Sequence, residues 1–317
     1  MASPPDDGRR QRASAIQADM AKLRTALGSI ADIRSPMDAE EPILAPAVRV
    51  ALRQWMVEIR AAEELKSVGV KPRSTAILYG PPGTGKTTLA HHLSARLGIP
   101  MVVVGPETLV GKYLGDSSSN VAKLFDGITR ADVRCLLFMD EIDAIGASRD
   151  SHGESSASTE LRSMLTTMLR KVEEYRGFLV SATNRQDSID KALWRRFHIQ
   201  LSVDLPGGEE RWAILKRYSL PFQLPDDAID ILADLTEGAS PALLRGVMEG
   251  MKRALIIHPK LGISIDRPET VFGPIVTSLA PPPGIDKPPL WQNPTTMAVL
   301  ASMGWPPARG QAGEGDR

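Results

Sequence analysis

The feature that most constrains this chain is a glycine-rich loop between a short apolar run and a helical pattern. The loop reads GPPGTGKT over residues 80–87 and places Gly80, Gly85, Lys86 and Thr87 in the spacing G-x-x-x-x-G-K-[ST]. Glycines let backbone N–H groups approach phosphate oxygens, and the helix start adds unpaired donors and a positive dipole end. An ordinary turn between a strand and a helix needs none of these fixed positions. The sequence therefore predicts a binding site for a nucleoside triphosphate.

The polar side chains of this loop have expected tasks. Lys86 is expected to supply a positive charge for the β- and γ-phosphates, and the Thr87 hydroxyl to ligate Mg²⁺. The loop residues predicted to contact the nucleotide are Pro82, Gly83, Thr84, Gly85, Lys86, Thr87 and Thr88.

Composition limits the classes of protein to which the chain can belong. Its 317 residues, 42% of them hydrophobic, allow one large domain or two modest ones. Lys plus Arg and Asp plus Glu balance at 38 each, so no bulk charge attracts nucleic acid or an anionic membrane. The lone cysteine, Cys135, excludes a disulfide framework, and its apolar neighbours predict that it is buried. The first residues lack the pattern of an export signal and no apolar run reaches membrane-spanning length, so we expect a cytoplasmic protein.

Apolar strands alternate with helical patterns along the first two thirds of the chain. We expect strands near residues 77–79, 101–105, 135–139, 178–182 and 199–205. This alternation is typical of a parallel sheet covered by helices. Beyond Pro206 we find only helical patterns, at residues 209–218, 227–235, 241–257 and 268–278. The predicted fold class is α/β: a P-loop NTPase parallel sheet with helices on both faces and a small all-helical C-terminal lid.

The expected segments are an N-terminal helical arm that is partly disordered (1–36), a large α/β nucleotide-binding domain (37–205), a helical lid (206–280) and a Pro-rich tail (281–317). Within the arm, residues 1–12 are predicted to be disordered. Apolar residues then recur at spacings of three and four, which fits a short coiled-coil seam and an amphipathic helix on its own domain equally well. Two tryptophans, Trp291 and Trp305, indicate that part of the tail docks, without indicating where.

Two further strands end in polar side chains suited to phosphate chemistry. The strand at 135–139 runs into Asp140 and Glu141, which in a phosphate-loop enzyme would hold Mg²⁺ and polarise the attacking water, respectively. The strand at 178–182 is followed by Asn184, whose amide could help to orient that water. An acidic strand end or a turn asparagine alone would be ordinary, but the loop at residues 80–87 makes the catalytic interpretation the stronger one.

Four motifs in this order resemble the AAA clade of the AAA+ ATPases. They are GPPGTGKT at 80–87, DEID at 140–143, ATNR at 182–185 and IDKALWRRF at 189–197, and the resemblance covers residues 45 to 280. It implies an AAA+ module that binds ATP and Mg²⁺ in a ring, usually a hexamer, with ATP sites between neighbours. It also implies that Arg195 and Arg196 are arginine fingers that reach the adjacent subunit's site.

The same resemblance assigns further positions. Lys112, Tyr113 and Leu114 stand where the family keeps its first pore loop, whose aromatic side chain can grip a polypeptide, and residues 147–158 would be the second pore loop. Ala242 occupies the family's lid turn near the adenine. Three residues depart from the family pattern. They are Tyr218, which stands where the family often has a histidine, Pro241, which replaces a glycine, and His198, which replaces an aspartate.

The function that these features predict is Mg²⁺-dependent ATP hydrolysis in a homo-oligomeric ring that remodels, unfolds or threads a protein substrate. One alternative is a nucleic-acid motor or loader, against which the balanced charge and the lack of a basic, aromatic face argue. Another is an ATP-gated adaptor of a separately encoded effector such as a protease. The sequence identifies neither the substrate nor the partner.

Overall fold

The structure is a computed structural model that describes residues 7–111, 115–144, 156–281, 286–292 and 295–310. The chain divides into two compact units. The first takes in residues up to 42, 48–80 and 86–203, and the second residues 43–47, 81–85 and 204 onward. Among the described helices, none combines the length and the apolar sequence that crossing a bilayer requires.

The first unit is an α/β layer structure. Its helices are α1 (Asp7–Leu27), α2 (Pro46–Arg60), α3 (Ala62–Ser67), α4 (Lys86–Leu97), α5 (Pro106–Leu109), α6 (Asp116–Ala131), α7 (Ser156–Glu174) and α8 (Lys191–Trp194). Its strands are β1 (Asp32–Arg34), β2 (Thr75–Tyr79), β3 (Met101–Val104), β4 (Leu136–Met139), β5 (Phe178–Thr183) and β6 (Ile199–Ser202). The five predicted strands are present, while α5 and β1 had no recognisable pattern of their own, being four and three residues long.

The sheet has the strand order β1-β3-β4-β5-β2-β6. The pairs from β3 to β6 are parallel, with Tyr79 opposite Thr183 and Met139 opposite Ser181. The short edge strand β1 pairs antiparallel with β3. Parallel strands end at one edge, so the polar residues that follow β2, β4 and β5 are brought together at what we call the carboxyl edge. The opposite side, where these strands begin, is the amino edge. The α/β class with a parallel sheet is confirmed.

The N-terminal helix α1 packs on the first unit. Met20, Leu23 and Leu27 are buried in the same apolar core as the strands, with Ile16 against it. A Cβ on Gly127 of α6 would lie 2.7 Å from the Leu27 side chain, so glycine permits this close approach. The pattern of threes and fours is therefore that of an amphipathic helix on its own domain. Because α1 is helical from residue 7, the prediction of disorder was wrong for residues 7–12; residues 1–6 lie outside the described part.

The second unit has its own apolar core built by helices. These are α9 (Gly208–Ser219), α10 (Asp226–Leu235), α11 (Pro241–Ile257), α12 (Pro268–Ser278), α13 (Pro289–Gln292) and α14 (Thr295–Leu300). The helices predicted after residue 206 are present. The prediction of helices alone was wrong, because β7 (Phe222–Gln223) and β8 (Ala308–Arg309) form a two-stranded antiparallel ladder. Neither strand is long enough to show an alternating pattern.

The segment after residue 281 belongs to this second core. Leu290, Leu300 and Met303 are buried in it. The indole N–H groups of Trp291 and Trp305 donate to the carbonyls of Leu279 and Ile265, each at 2.6 Å. The docking that the two tryptophans indicated therefore occurs on the second unit, through the described residues of the tail.

Candidate functional site

The glycine-rich loop leaves β2 in a conformation that only glycine tolerates. Gly80 has φ +142°, and a Cβ there would overlap the carbonyl oxygen of Val203. At the other end of the loop Lys86 begins α4, and its ammonium group donates to the Gly80 carbonyl at 2.9 Å. Burial lowers the pKa of Lys86, while the nearby carboxylates of Asp140 and Asp143 act in the opposite sense. A buried cation at a helix start is suited to an anionic ligand.

The middle of the loop, residues 81–85, packs with the second unit. The amide of Ala242 donates to the Gly83 carbonyl at 3.2 Å, and the Thr84 hydroxyl donates to the Pro81 carbonyl at 3.0 Å. Gly83 has φ +77°, and a Cβ there would come within 2.9 Å of the Ser240 hydroxyl. Ala242, assigned to the lid turn by resemblance alone, therefore does lie against the loop backbone.

Thr87 and Asp140 meet at the carboxyl edge. The Thr87 hydroxyl donates to a carboxylate oxygen of Asp140 at 2.9 Å, and the Asp140 amide donates to the Val104 carbonyl of the neighbouring strand. A hydroxyl and a carboxylate form an oxygen pair of the kind Mg²⁺ prefers. Within the described ranges, no group of three or more His, Cys, Asp or Glu side chains could hold a metal ion by itself.

Glu141 has a strained backbone. Its φ is +49°, in the left-handed region, which costs a non-glycine residue about 1–2 kcal/mol. Its amide donates to Asp140 Oδ1 at 3.0 Å, and its own side chain is exposed. The conformation directs the chain away from the strand immediately after Asp140. Sequence patterns carry no signal for such strain at a glutamate.

Asn184 follows β5, the strand between β4 and β2, and is exposed. The residue before it, Thr183, donates its hydroxyl to the Asp143 carboxylate at 2.8 Å and accepts the Arg185 amide at 2.9 Å. This bridge ties the end of β5 to the segment after β4. Asn184 lies in sequence between Thr183 and Arg185, which the bridge joins. Sequence reasoning missed Thr183, although its place just before the polar amide was a usable signal.

The other predicted nucleotide contacts differ in exposure: Pro82 is exposed, while Gly85, with φ +90°, and Thr88 are half-buried. The predicted pore-loop residues Lys112, Tyr113 and Leu114 lie outside the described residues, as do residues 147–155 of the second predicted pore loop. The described segments that follow these loops are joined by Glu160 of α7. Its carboxylate accepts the amides of Gly115 and Ser117 at 2.7 and 3.0 Å, and these bonds, led by that from Gly115, lower its pKa.

Arg195 and Arg196 follow α8, whose first turn is capped by the Asp190 carboxylate. They lie toward the amino edge, away from the phosphate loop at the carboxyl edge. Arg196 forms an ion pair with Glu173 at 2.9 Å. The exposed Arg195 guanidinium has neither a hydrogen-bond nor an ion-pair partner among the residues described. The two arginines are thus held differently.

A cavity of about 800 Å³ opens at the amino edge beside this pair. Among its described lining residues, cations far outnumber the single carboxylate, Glu173. The cations are Lys66, Lys71, Arg73, Arg134, Arg176, Arg195 and Arg196. Some of this charge is compensated within the chain: Arg73 bonds the Glu58 carboxylate, which lowers the pKa of Glu58, and Arg134 lies over the Phe178 ring. The amino edge is therefore electropositive, whereas the carboxyl edge carries Asp140, Glu141 and Asp143.

Comparison with known proteins identifies the family. Residues 76–205 match the model of the "ATPase family associated with various cellular activities (AAA)". Over 255 residues the chain is 34% identical to the uncharacterized AAA family ATPase y4kL of Sinorhizobium fredii, covering 79% of this chain and 75% of that protein. The chain belongs to the AAA family of ATPases. The AAA resemblance predicted from the four motifs is thereby confirmed, and with it nucleotide binding and ATPase activity as the class of function.

Other AAA relatives match a smaller share of their own length. The proteasome-activating nucleotidase of Methanospirillum hungatei is 38% identical over 229 residues, 66% of this chain and 55% of that protein. The probable 26S proteasome regulatory subunit 10B of Caenorhabditis elegans is 35% identical over 192 residues, 58% of this chain and 47% of that protein. This AAA chain therefore spans about half the length of its proteasomal relatives.

Proposed function

We propose that this AAA protein is a Mg²⁺-dependent ATPase that works as a ring and remodels or unfolds a protein substrate. The observation that carries the proposal is the contact of Thr87 with Asp140 at 2.9 Å, beside a buried Lys86 at the start of α4. Residues that follow β2 and β4 thus meet at one edge, which supports a site for phosphoryl transfer from a nucleoside triphosphate.

The proposed reaction is the attack of water on the γ-phosphorus of ATP. Lys86 and the loop amides bind the β- and γ-phosphates, while Thr87 and Asp140 would hold Mg²⁺, which supplies charge neutralisation on those oxygens. Glu141 accepts a proton from the attacking water as the new P–O bond forms, and ADP leaves with the bridging oxygen. Asn184 orients the water.

Arg195 and Arg196 are proposed to act on the site of an adjacent copy. The four steps from Thr75 to Tyr79 span about 13 Å at ~3.3 Å per residue, so the two edges of the sheet are well separated. The arginine pair and its electropositive cavity lie at the edge opposite the chain's own phosphate loop. A ring in which the amino edge of one copy meets the carboxyl edge of the next would bring guanidinium groups to the transferred phosphoryl. The segments 37–205 and 206–280 serve in this proposal as nucleotide-binding domain and lid.

A protein substrate is supported by the relatives, which include proteasome-activating nucleotidases and a probable proteasome regulatory subunit. The segment with Lys112, Tyr113 and Leu114 is proposed to grip the substrate, since an aromatic side chain contacts polypeptides with little regard to sequence. The same names favour a second candidate, in which this ATPase serves a separately encoded protease.

The test is the variant Tyr113→Ala, assayed with purified protein, ATP and Mg²⁺. We expect ATP hydrolysis to persist while ATP-dependent unfolding of a fluorescent protein substrate is lost. Tyr113→Phe, which keeps the aromatic ring, is the matched control and should keep both activities. Unfolding at the normal rate by Tyr113→Ala would rule out the proposed grip, and activity of a stable monomer at the full rate would rule out the ring.

A further inference from the structure

Strand β2 contacts the arginine-bearing segment near both of its ends. Its carboxyl end continues into the phosphate loop, and the Tyr79 ring there lies 5.5 Å from the ring of Trp194, the last residue of α8. Its amino end begins at Thr75, whose side chain contacts Arg196 and His198. One strand thus touches the segment just before Arg195 and again at Arg196.

The Thr75 hydroxyl is the centre of the contact at the amino end. It donates to the Arg196 carbonyl at 2.8 Å and accepts the His198 amide at 3.1 Å. His198 Nδ1 lies 2.9 Å from the same oxygen. When Nδ1 carries a proton it donates to this oxygen, and the hydroxyl then uses its one donor and two acceptors completely. His198 stands where the AAA pattern has aspartate, so the contact from the imidazole is a property of this chain.

Thr75 holds a stretch of backbone that the sheet does not. β6 pairs with β2 only from Ile199 onward, opposite Ala76, so residues 195–198 precede the ladder. Thr75 itself is 3% exposed, and a hydrogen bond made away from water has strict geometry and is costly to leave unmade. The amides of Arg195, Arg196 and Phe197 bond back to carbonyls of α8, and the Thr75 hydroxyl adds the contact that ties this segment, with both arginines, to β2.

We propose that Thr75 is a positioning residue for the Arg195–Arg196 pair: its hydroxyl, through the Arg196 carbonyl and the His198 amide, sets where the two guanidinium groups present themselves to the neighbouring copy. This inference rests on the proposed shared site. It assigns to β2 two tasks, one at each end, because the same strand delivers the phosphate loop to its own site and the arginine pair to the next.

The experiment mixes two variants that are each inactive for a different reason. Glu141→Gln copies lack their own hydrolysis but offer intact arginines, whereas Arg195→Ala/Arg196→Ala copies lack arginines but offer an intact site. Mixed rings should regain ATP hydrolysis at those interfaces where both intact halves meet. Thr75→Val, which keeps the shape and removes the hydroxyl, is then added to one copy at a time.

In the Glu141→Gln copy, Thr75→Val should lower the restored rate at least about tenfold, since a 1 Å misplacement of a catalytic group can cost ~10²-fold. In the Arg195→Ala/Arg196→Ala copy it should leave the restored rate unchanged. Thr75→Ser keeps the hydroxyl and should behave as wild type in both roles. ATP affinity and thermal unfolding of each Thr75 variant alone establish that it is folded.

Thr183→Val is the matched comparison from the other edge. It also removes a hydroxyl at the end of a strand, but one that bonds Asp143. Its effect should appear only in the copy that offers the site, the reverse of Thr75→Val. Equal losses from Thr75→Val in both roles, or none in the arginine-offering role, would overturn the assignment of Thr75. Absence of any restored activity in the unmodified mixture would instead overturn the shared site, and the role of Thr75 with it.

Discussion

The carboxyl and amino edges of the sheet in the first unit differ in charge and in how far their charged side chains are paired within the chain. At the carboxyl edge Lys86, Thr87 and Asp140 already make contacts within one chain, and burial lowers the Lys86 pKa while the nearby carboxylates of Asp140 and Asp143 oppose that shift. The carboxyl edge also carries the carboxylates of Asp140, Glu141 and Asp143, whereas the amino edge is electropositive. Arg195 has no partner among the described residues and lies beside a cavity lined mainly by cations.

The proposed ring accounts for this difference, since each chain would then carry two complementary halves of a site. The strained backbone of Glu141 and the burial of the Lys86 cation are costly to a single chain. The exposed guanidinium of Arg195 becomes useful when the electropositive edge meets a bound triphosphate.

The largest effect is expected at the amino edge. Arg195→Ala with Arg196→Ala should lower kcat by about 10³–10⁵, the range typical of arginine fingers, without weakening ATP binding to the chain's own loop. The measurement is steady-state ATP hydrolysis together with nucleotide affinity. Because Arg196 is already paired with Glu173, Arg195→Ala should account for more of the loss than Arg196→Ala.

The control for the arginine pair is Arg170→Ala, which removes an exposed arginine from α7 outside the cavity and should leave kcat unchanged. A double variant that hydrolyses ATP at the normal rate would show that the arginine pair at the amino edge takes no part in ATP hydrolysis. The charge difference between the two edges would then have no role in the reaction.

The next effect is expected at the carboxyl edge. Glu141→Gln should lower kcat by about 10²–10⁴, the usual contribution of a general base, and should leave ATP bound. The change keeps the side-chain size, and the strained backbone of Glu141 is already present in the parent protein. Single-turnover hydrolysis and nucleotide binding measure the two consequences separately.

Glu107→Gln provides the matched change, since Glu107 is an exposed carboxylate on α5, which follows β3 at the same edge. We expect it to hydrolyse ATP as the parent does. If Glu141→Gln turned over ATP at the parent rate, the proton acceptor would have to be another group, and Asp143 would be the next to test.

The smallest effect is expected at Cys135, a buried residue directly before β4 at the amino edge. Burial raises the pKa of Cys135 to about 11 from an ordinary 9.0, against the opposing hydrogen bond from Tyr175. The folded protein therefore holds this proton more tightly than the unfolded chain. Its stabilising contribution is complete below pH 9.0 and is lost as the pH rises toward about 11.

Cys135→Val should remove that part of the decline in unfolding free energy with pH, measured by denaturant titration across this window. The native thiol should also resist a thiol-specific reagent at pH 8 and react fully once the protein is unfolded. Rapid reaction of the native protein would contradict the burial of Cys135 at the amino edge.

Local signals in the sequence were enough for much of the fold. The glycine spacing, the apolar runs of β2 to β6 and the helices from α9 to α12 are read from near neighbours in the chain, and each was found within a few residues of its observed bounds. The elements that were missed are β1, α5, α8, β7, α13, α14 and β8, each of two to six residues and too short to carry a period. Their formation depends on partners that are distant in sequence.

The sequence by itself determined which chemistry is present: a phosphate loop, Asp140 with Glu141, Asn184 and an arginine pair, each marked by motif. Only the tertiary structure decided that α1 and the segment after residue 281 pack into the cores of the two units, and that the arginines lie at the edge opposite the phosphate loop. It also decided that Thr75, unremarkable in sequence, bonds Arg196 across 121 positions of chain. The physical reason is that motifs and periodicities depend on neighbouring residues, whereas burial and hydrogen bonding depend on which distant residues the folded chain brings within a few ångströms.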